Sequence, residues 1–419
     1  MNQNELFTSA LGLQGPWRVV ESELKDQEDS SKVLVLELDF KKGAKFPCPE
    51  CGASCGAHDT KFLRWRHLQF WQHETILHAR VPRVACTCTG GKPRQVTVPW
   101  AREGSGFTLF FEAFAMMLAK EMPIAAAARI LGEHDTRIWR MIRHYVGKAH
   151  ARQDWSEVSA VGVDETATRK GKSYATVVVD IDPTGEGPAR LLHMSPEAKG
   201  ENIGNFVAEM SAHGACPEQV RIAAIDMSPA YKKGVAEHLP MAEVAFDRFH
   251  VMKMAGEAVD EVRKQLKREG WEVAGALWSL RGNEENLSEK NRQRRQELCY
   301  RYKEFGRSLG LKEMLRETWD YYYRRDGEVH LKSWYSWAIR CRLEPFKKLA
   351  RTIKAHWEGI LGYYPNRVTS AAIEAINGVI QTARRRARGY RNFDNFRAIA
   401  YWMAGHLDLQ LPAVITHTK

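Results

Sequence analysis

Several features that would take this chain out of the ordinary globular class are missing. No apolar run approaches the length of a membrane-spanning helix, the richest being the alanine-heavy Met122 to Leu131, so no membrane partner is expected. The opening MNQNELFTSA has no basic region leading into an apolar one, which argues against a secretory signal and gives a cytoplasmic, nucleoid-associated protein as the expectation. No repeat of roughly 20 to 50 residues and no long low-complexity segment occurs, which excludes solenoid architectures. No HExxH-type ligand pair is present, so a zinc-dependent hydrolase lacks support. Cysteine is sparse, eight in 419 residues, and in a cytoplasmic chain these read as thiols or metal ligands rather than disulfides.

What is present points to several domains and a polyanionic partner. A chain of 419 residues exceeds what one core usually organises, and roughly two to four domains are expected. Lys plus Arg number 62 against 51 Asp plus Glu, a formal charge of +11. That balance favours nucleic acid, although many basic surfaces are only solvated and charge alone does not decide.

Along the chain, residues 1 to about 100 alternate short strand-like runs (Val33 to Phe40, Thr75 to Val84, Gln95 to Val98) with Gly/Pro/Cys turns. Helical periodicity follows over Phe107 to Lys120, Pro123 to Leu131 and Thr136 to Ala149, with Pro123 suited to a first turn and Gly132 to a break. Strands are expected at Val158 to Asp164, Tyr174 to Asp182, Leu191 to Met194, Val220 to Asp226 and Glu243 to Asp247, with helices at Gly200 to Ala212 and Pro229 to His238. The order β-β-β-α-β-α-β, with carboxylates ending the first and fourth strands, is that of an RNase H-like sheet. A charged, aromatic helical stretch then runs to about residue 360, and a last long helix spans about Ser370 to Arg388 after the loop Tyr363 to Asn366. The expected fold class is α/β multidomain: an RNase H-like catalytic domain, a mixed sheet flanked by helices, over 153–250 and 366–405, interrupted by a helical insertion over 251–365. A zinc-ribbon-like β module over 1–104 and a helix-turn-helix over 105–152 precede it, and a tail over 406–419 ends it.

Asp164 in AVGVDE and Asp226 in RIAAIDMS each follow apolar residues that would sit inside a sheet, so neighbouring strands would put both carboxylates on one rim. Two divalent ions that grip phosphate oxygens need such hard oxygen ligands on rigid supports. The third ligand should come from a helix packed beside the first strand, and Glu374 is the best candidate; at helical spacing it shares a face with Asn377, Gly378, Gln381 and Arg385. Taken singly each acid has an ordinary explanation, a turn former or a helix-dipole partner. Glu165, Asp180, Asp182 and Asp247 compete, Asp247 most seriously because it too ends a strand.

These motifs resemble, in order and over nearly the whole chain, the bacterial DDE insertion-sequence transposases of the ISL3 type: CPECG, VGVDE, IDMSPAY, FDRFHV, then Glu-x-x-Asn with an arginine cluster and GYRNFDNFR. The resemblance implies that Asp164, Asp226 and Glu374 are the catalytic triad holding two Mg²⁺ or Mn²⁺ ions, with a helical insertion between the second and third acids. It implies supporting roles for Asp247 and His250, terminal inverted repeats as substrate, and at least a homodimer in the active complex.

Cys48 and Cys51 form a CxxC, and Cys86 and Cys88 a CxC, which suits four thiolates around a structural Zn²⁺. The family pattern closes with a second CxxC, and the tighter CxC leaves Cys55, His58 or His67 as substitutes. Pro123 to Ala149 reads as helix-turn-helix, its second helix offering Thr136, Arg137, Arg140 and Arg143 to double-stranded DNA. Arg384, Arg385, Arg386 and Arg388 are candidates for further phosphate contacts. Of the insertion's aromatic rings, Trp271, Trp278, Trp319, Tyr321 to Tyr323, Trp334 and Trp337, most are expected in its core rather than on DNA. The function expected is metal-dependent cleavage and strand transfer; the competing readings are an RNase H-like nuclease that does not join and a catalytically silent DNA-binding regulator.

Overall fold

The structure is a computed structural model, and it describes all residues except 1, 29–30, 170, 172, 182–186, 198, 274, 365–370 and 413–419. The expected strand end Asp182, the loop through Asn366 and the helix start Ser370 therefore lie outside the described residues. The chain divides into two compact units, the first reaching Tyr145 and the second running from Val146 to Asp408.

The first unit opens with helix α1 (Gln3–Ala10), which Asn2 and Glu5 close at its start as a reciprocal capping box. A sheet follows, built from β1 (Trp17–Asp26), β2 (Lys32–Phe40), β3 (Lys45–Pro47), β4 (Ser54–Phe70), β5 (His73–Val84) and β6 (Arg94–Gln95), in the order β1-β2-β5-β4-β3 with β6 on β5. In β2, Leu34, Leu36, Leu38 and Phe40 alternate inward and meet Trp17, Phe46, Trp65 and Trp100. Four elements are absent from the sequence reading: α1, β1, the short β3, and the 17-residue β4, which carries so many His, Lys and Arg side chains that it lacks an apolar signature. The run Gln95 to Val98 yields only the two-residue β6.

Three helices complete the unit: α2 (Leu109–Glu121), α3 (Ile124–Leu131) and α4 (Asp135–His150). Gly132 ends α3 at φ +65°, the left-handed conformation that closes a helix without a Cβ penalty. Pro123 sits one position earlier than expected, at the N-cap of α3. Behind them lies a buried polar knot. Glu112, fully buried, accepts hydrogen bonds from Arg102 Nε (2.9 and 3.0 Å), Ser105 Oγ (2.7 Å) and the Tyr145 hydroxyl (2.6 Å).

The second unit holds β7 (Ala160–Ala167), β8 (Tyr174–Asp180), β9 (Arg190–Pro196), α5 (Glu201–Met210), β10 (Ile222–Ile225), α6 (Pro229–His238) and β11 (Glu243–Phe246). The sheet order is β11-β10-β7-β8-β9, antiparallel from β7 to β9 and parallel from β7 through β10 to β11. This is the RNase H-like arrangement: the first three strands pair antiparallel in sequence order, while α5 and α6 return the chain for parallel pairing. The parallel strands read as continuous apolar runs because both faces are covered. The insertion comprises α7 (Arg248–Arg268), α8 (Ala276–Arg281), α9 (Glu289–Arg301), α10 (Lys303–Glu317), α11 (Arg324–Arg340), α12 (Glu344–Ala355) and α13 (Trp357–Leu361). Trp319 and Trp334 are buried at its centre with Phe305 and Phe346, Trp334 Nε1 donating to Leu311 O (2.8 Å). Trp271, Trp278, Tyr321, Tyr322, Tyr323 and Trp337 are instead exposed, so, contrary to the expectation, most of the rings singled out in the insertion lie at its surface. Helices α14 (Ala371–Arg386) and α15 (Phe393–Ala404) pack together, α14 against β7 and α15 against β9.

Candidate active site

The strand register aligns three carboxylates. Ala224 of β10 pairs with Gly162 of β7, so two residues further on Asp226 is level with Asp164. Ile225 pairs with Phe246 of β11, so Asp247 is level with Asp226. Parallel neighbours are about 4.8 Å apart, and the three acids therefore occupy successive positions along one rim of the sheet. Asp164 does not end its strand, contrary to the sequence reading. β7 runs on to Ala167 because its antiparallel partner β8 continues the pairing, while the parallel partner β10 stops at Ile225. The rim is set by β10. Asp180 lies at the opposite end of the pairing, level with Val161, and is engaged by Arg190 (3.0 Å).

Helix α14 is clamped along β7. Ile373 covers Gly162; Asn377 Nδ2 donates to Asp164 Oδ2 (2.9 Å); Gln381 Nε2 donates to Thr166 Oγ1 and Ala167 O (2.8 Å each); Arg384 Nη1 donates to Ala167 O (2.9 Å). The buried Asn377 Oδ1 has no hydrogen-bond partner among the described residues. Glu374, one turn before Asn377, is exposed and forms part of the wall of a cavity that Asp247 also lines.

Burial pushes the Asp164 carboxyl above the usual carboxylate range, and the charges of Asp226 and Asp247 push the same way, against a backbone hydrogen bond at Glu165 and the His250 ring. Glu165 is raised by burial and by Asp226 and Asp164. Asp247 is engaged locally: it caps α7, accepting from Phe249 N (2.8 Å), and its second oxygen meets His250 Nδ1 at 2.6 Å. That bond raises the His250 pKa against burial, and the charges of Asp247, Asp164 and Asp226 add to it. Tyr231, buried at the start of α6 with its hydroxyl 3.0 Å from Thr176 Oγ1, feels the same negative field and was not anticipated.

Among the described residues, one group has the tight packing of a metal cage: the sulfurs of Cys48, Cys51, Cys86 and Cys88 all lie within 4.8 Å of one another. Cys48–Cys88 and Cys51–Cys86 are 3.6 Å apart, close to the roughly 3.8 Å edge of a tetrahedron with Zn–S bonds of about 2.3 Å. The CxC pair thus completes the set. His67 is elsewhere, bonded to Thr108 Oγ1 (2.8 Å), and His58 lies against Asp59. The four thiols form a structural zinc site.

On α4, Thr136, Arg140 and Arg143 are exposed at helical spacing. Arg137 is tied into the unit, stacked on Phe107 (4.0 Å to the ring centroid) and paired with Glu133. Arg385 and Arg388 are exposed and Arg386 partly so, whereas Arg384 is spent holding α14 to β7. No helix among the described residues is long and apolar enough to cross a membrane.

Comparison with known proteins agrees with this layout. A zinc-finger model of the transposases of IS204, IS1001, IS1096 and IS1165 matches residues 44–88, the helix-turn-helix model of transposase family ISL3 matches 96–146, and the ISL3 DDE transposase model matches 161–400. The transposase for insertion sequence element IS1001 of Bordetella parapertussis is 29% identical over 382 residues, covering 88% of this chain and 91% of that protein. The transposase for insertion sequence element IS1557 of Mycobacterium tuberculosis (strain CDC 1551 / Oshkosh) is 27% identical over 444 residues, 97% of each chain. With a cysteine cage, a DNA-binding helix-turn-helix and an RNase H-like sheet bearing aligned carboxylates, each under its own match, the chain belongs to the ISL3 family of transposases.

Proposed function

We propose that this transposase binds the terminal inverted repeats of its insertion sequence, cuts there by hydrolysis and joins the released 3′-hydroxyl to target DNA, as a homodimer. Asp164, Asp226 and Glu374 hold two divalent ions, Mg²⁺ or Mn²⁺. The observation that carries the reading is the level register of Asp164 and Asp226 on adjacent parallel strands, with the helix of Glu374 clamped beside them. The donor set suits hard cations: a carboxyl on Asp164 raised by burial and by the charges of Asp226 and Asp247, next to an orphaned amide oxygen on Asn377. Ions bound there activate the attacking oxygen and stabilise the leaving one in an in-line displacement.

The remaining groups position. Asn377 holds the Asp164 carboxylate in one orientation. Asp247 is committed to the α7 cap and His250, so the pair supports the rim rather than joining the ligands. Thr136, Arg140, Arg143, Arg385, Arg386 and Arg388 contact DNA; Arg137 and Arg384 support the elements that carry them. In this reading 1–104, 105–152, 153–250 with 366–405, and 251–365 act as ribbon, DNA-binding, catalytic and insertion domains, with 406–419 as tail.

The test is cleavage and joining of labelled DNA carrying the element's own ends, with Mg²⁺, Mn²⁺ or EDTA, for the wild type and Asp226→Asn. Metal-dependent cutting with joined products, lost in Asp226→Asn while end binding persists, is the expected result. Cutting without joining would leave a nuclease, and binding without cutting a regulator.

A further inference from the structure

The cavity that Glu374 borders is larger than metal chemistry requires. It measures about 740 Å³, within the roughly 300–1,000 Å³ of sites for small organic ligands. It is lined by one face of α7, the start of α14, and the insertion's α10 with the turn at Asn283 and Glu285 and with Asp320. The α7 face presents Phe249, Met252, Lys253 and Gly256 at i, i+3, i+4 and i+7. Phe249 is 56% exposed there, an uncovered ring on a concave wall. Opposite, Lys312 is only 3% exposed and donates to Gly282 O (3.3 Å) and Asn283 Oδ1 (3.2 Å). An ammonium can only donate, so this bond orients the Asn283 amide and leaves its NH₂ as a donor in the cavity wall.

We propose that this cavity receives one nucleotide of the transposon end, turned out of the duplex, with its base on Phe249, its edge read by Asn283 and its phosphate against Lys253 and Arg248. The inference rests on the transposase reading above. A cavity of about 740 Å³ is too small for a duplex, whereas an extruded base needs a flat apolar surface, a polar group for its edge and a cation for its phosphate. Glu374 in the wall makes the occupant contiguous with the strand being cut. Extrusion at that point opens the backbone to the acids at the cost of one stacked pair, which stacking on Phe249 offsets.

Two measurements decide. Element ends carrying 2-aminopurine at each position around the cleavage point in turn are bound to the wild type in Ca²⁺; fluorescence should rise several-fold at one position only. Phe249→Ala should then slow end cleavage roughly 10- to 100-fold, an abasic nucleotide at that same position should restore it, and Phe249→Trp should cut like the wild type. Because Phe249 is exposed, its truncation leaves the core intact. Normal cutting by Phe249→Ala, no fluorescent position, or no abasic rescue, each with a wild type that cuts, would overturn the pocket while the transposase reading stands. A wild type that does not cut its own ends overturns that reading and the pocket with it.

Discussion

Ile373 of α14 lies directly over Gly162 of β7: a Cβ at Gly162 would fall 2.5 Å from Ile373 Cγ1 and closer still to Cδ1. The glycine is there so that the helix bearing Glu374 can approach the strand bearing Asp164. Gly162→Ala should force α14 outward and separate the third acid from the first two. Overpacking of this kind costs about 1–3 kcal/mol in stability, while misplacement near 1 Å at a reacting centre costs about 100-fold in rate. End cleavage should therefore fall about 100-fold with a small shift in melting temperature; unchanged cleavage would show that α14 does not need this approach.

Glu112 anchors the helix-turn-helix from beneath. Its carboxylate satisfies Arg102, Ser105 and Tyr145 together, and Glu112→Ala would leave the part-buried Arg102 guanidinium and the buried Tyr145 hydroxyl without it. Loss of one partner of a buried pair costs about 3–5 kcal/mol. Denaturation followed by tryptophan fluorescence should show a drop of that order, and DNA binding should weaken with it. A change below about 1 kcal/mol, as for the average surface substitution, would remove Glu112 from this role.

Much of this architecture is legible in the residues themselves. The β-β-β-α-β-α-β order follows from apolar runs and their spacing, and the zinc ligands from the CxxC and CxC pairs. The position of the rim does not, because it depends on where β10 stops rather than on anything near Asp164. The strand β4 escapes because an exposed, paired strand needs no apolar alternation. Nothing in the sequence announces that Arg137 stacks on Phe107 or that Arg384 bonds to Ala167 O, because these partners lie far away in the chain. The cavity beside Glu374 is a product of elements far apart in the chain, and no local pattern announces it.

Zinc removal should unfold the ribbon and spare the catalytic sheet. Cys48 comes from the end of β3 and Cys86 from beyond β5, so the ion ties two separated segments of one small module. Elemental analysis should give one zinc per chain, and Cys51→Ser should lose it. Far-ultraviolet circular dichroism should show loss of strand signal after chelation, with the α-helical signal retained. A full complement of zinc in Cys51→Ser would exclude the four-cysteine cage.

His67 makes the first unit sensitive to acid. Burial lowers its pKa from 6.5 to about 4, its Nδ1 lying 2.8 Å from Thr108 Oγ1. Between those values the unfolded chain binds a proton that the folded chain refuses, so stability falls as pH falls. The contribution is complete above pH 6.5 and is lost as pH drops toward about 4, amounting to on the order of 3 kcal/mol. Cysteine and carboxylate protonation act in the same range, so the informative quantity is the difference between the wild type and His67→Gln. That difference in urea midpoint should favour the wild type most at neutral pH and shrink or reverse below pH 5, as the wild type alone pays for the histidine. A difference independent of pH would mean that His67 titrates normally in the folded state.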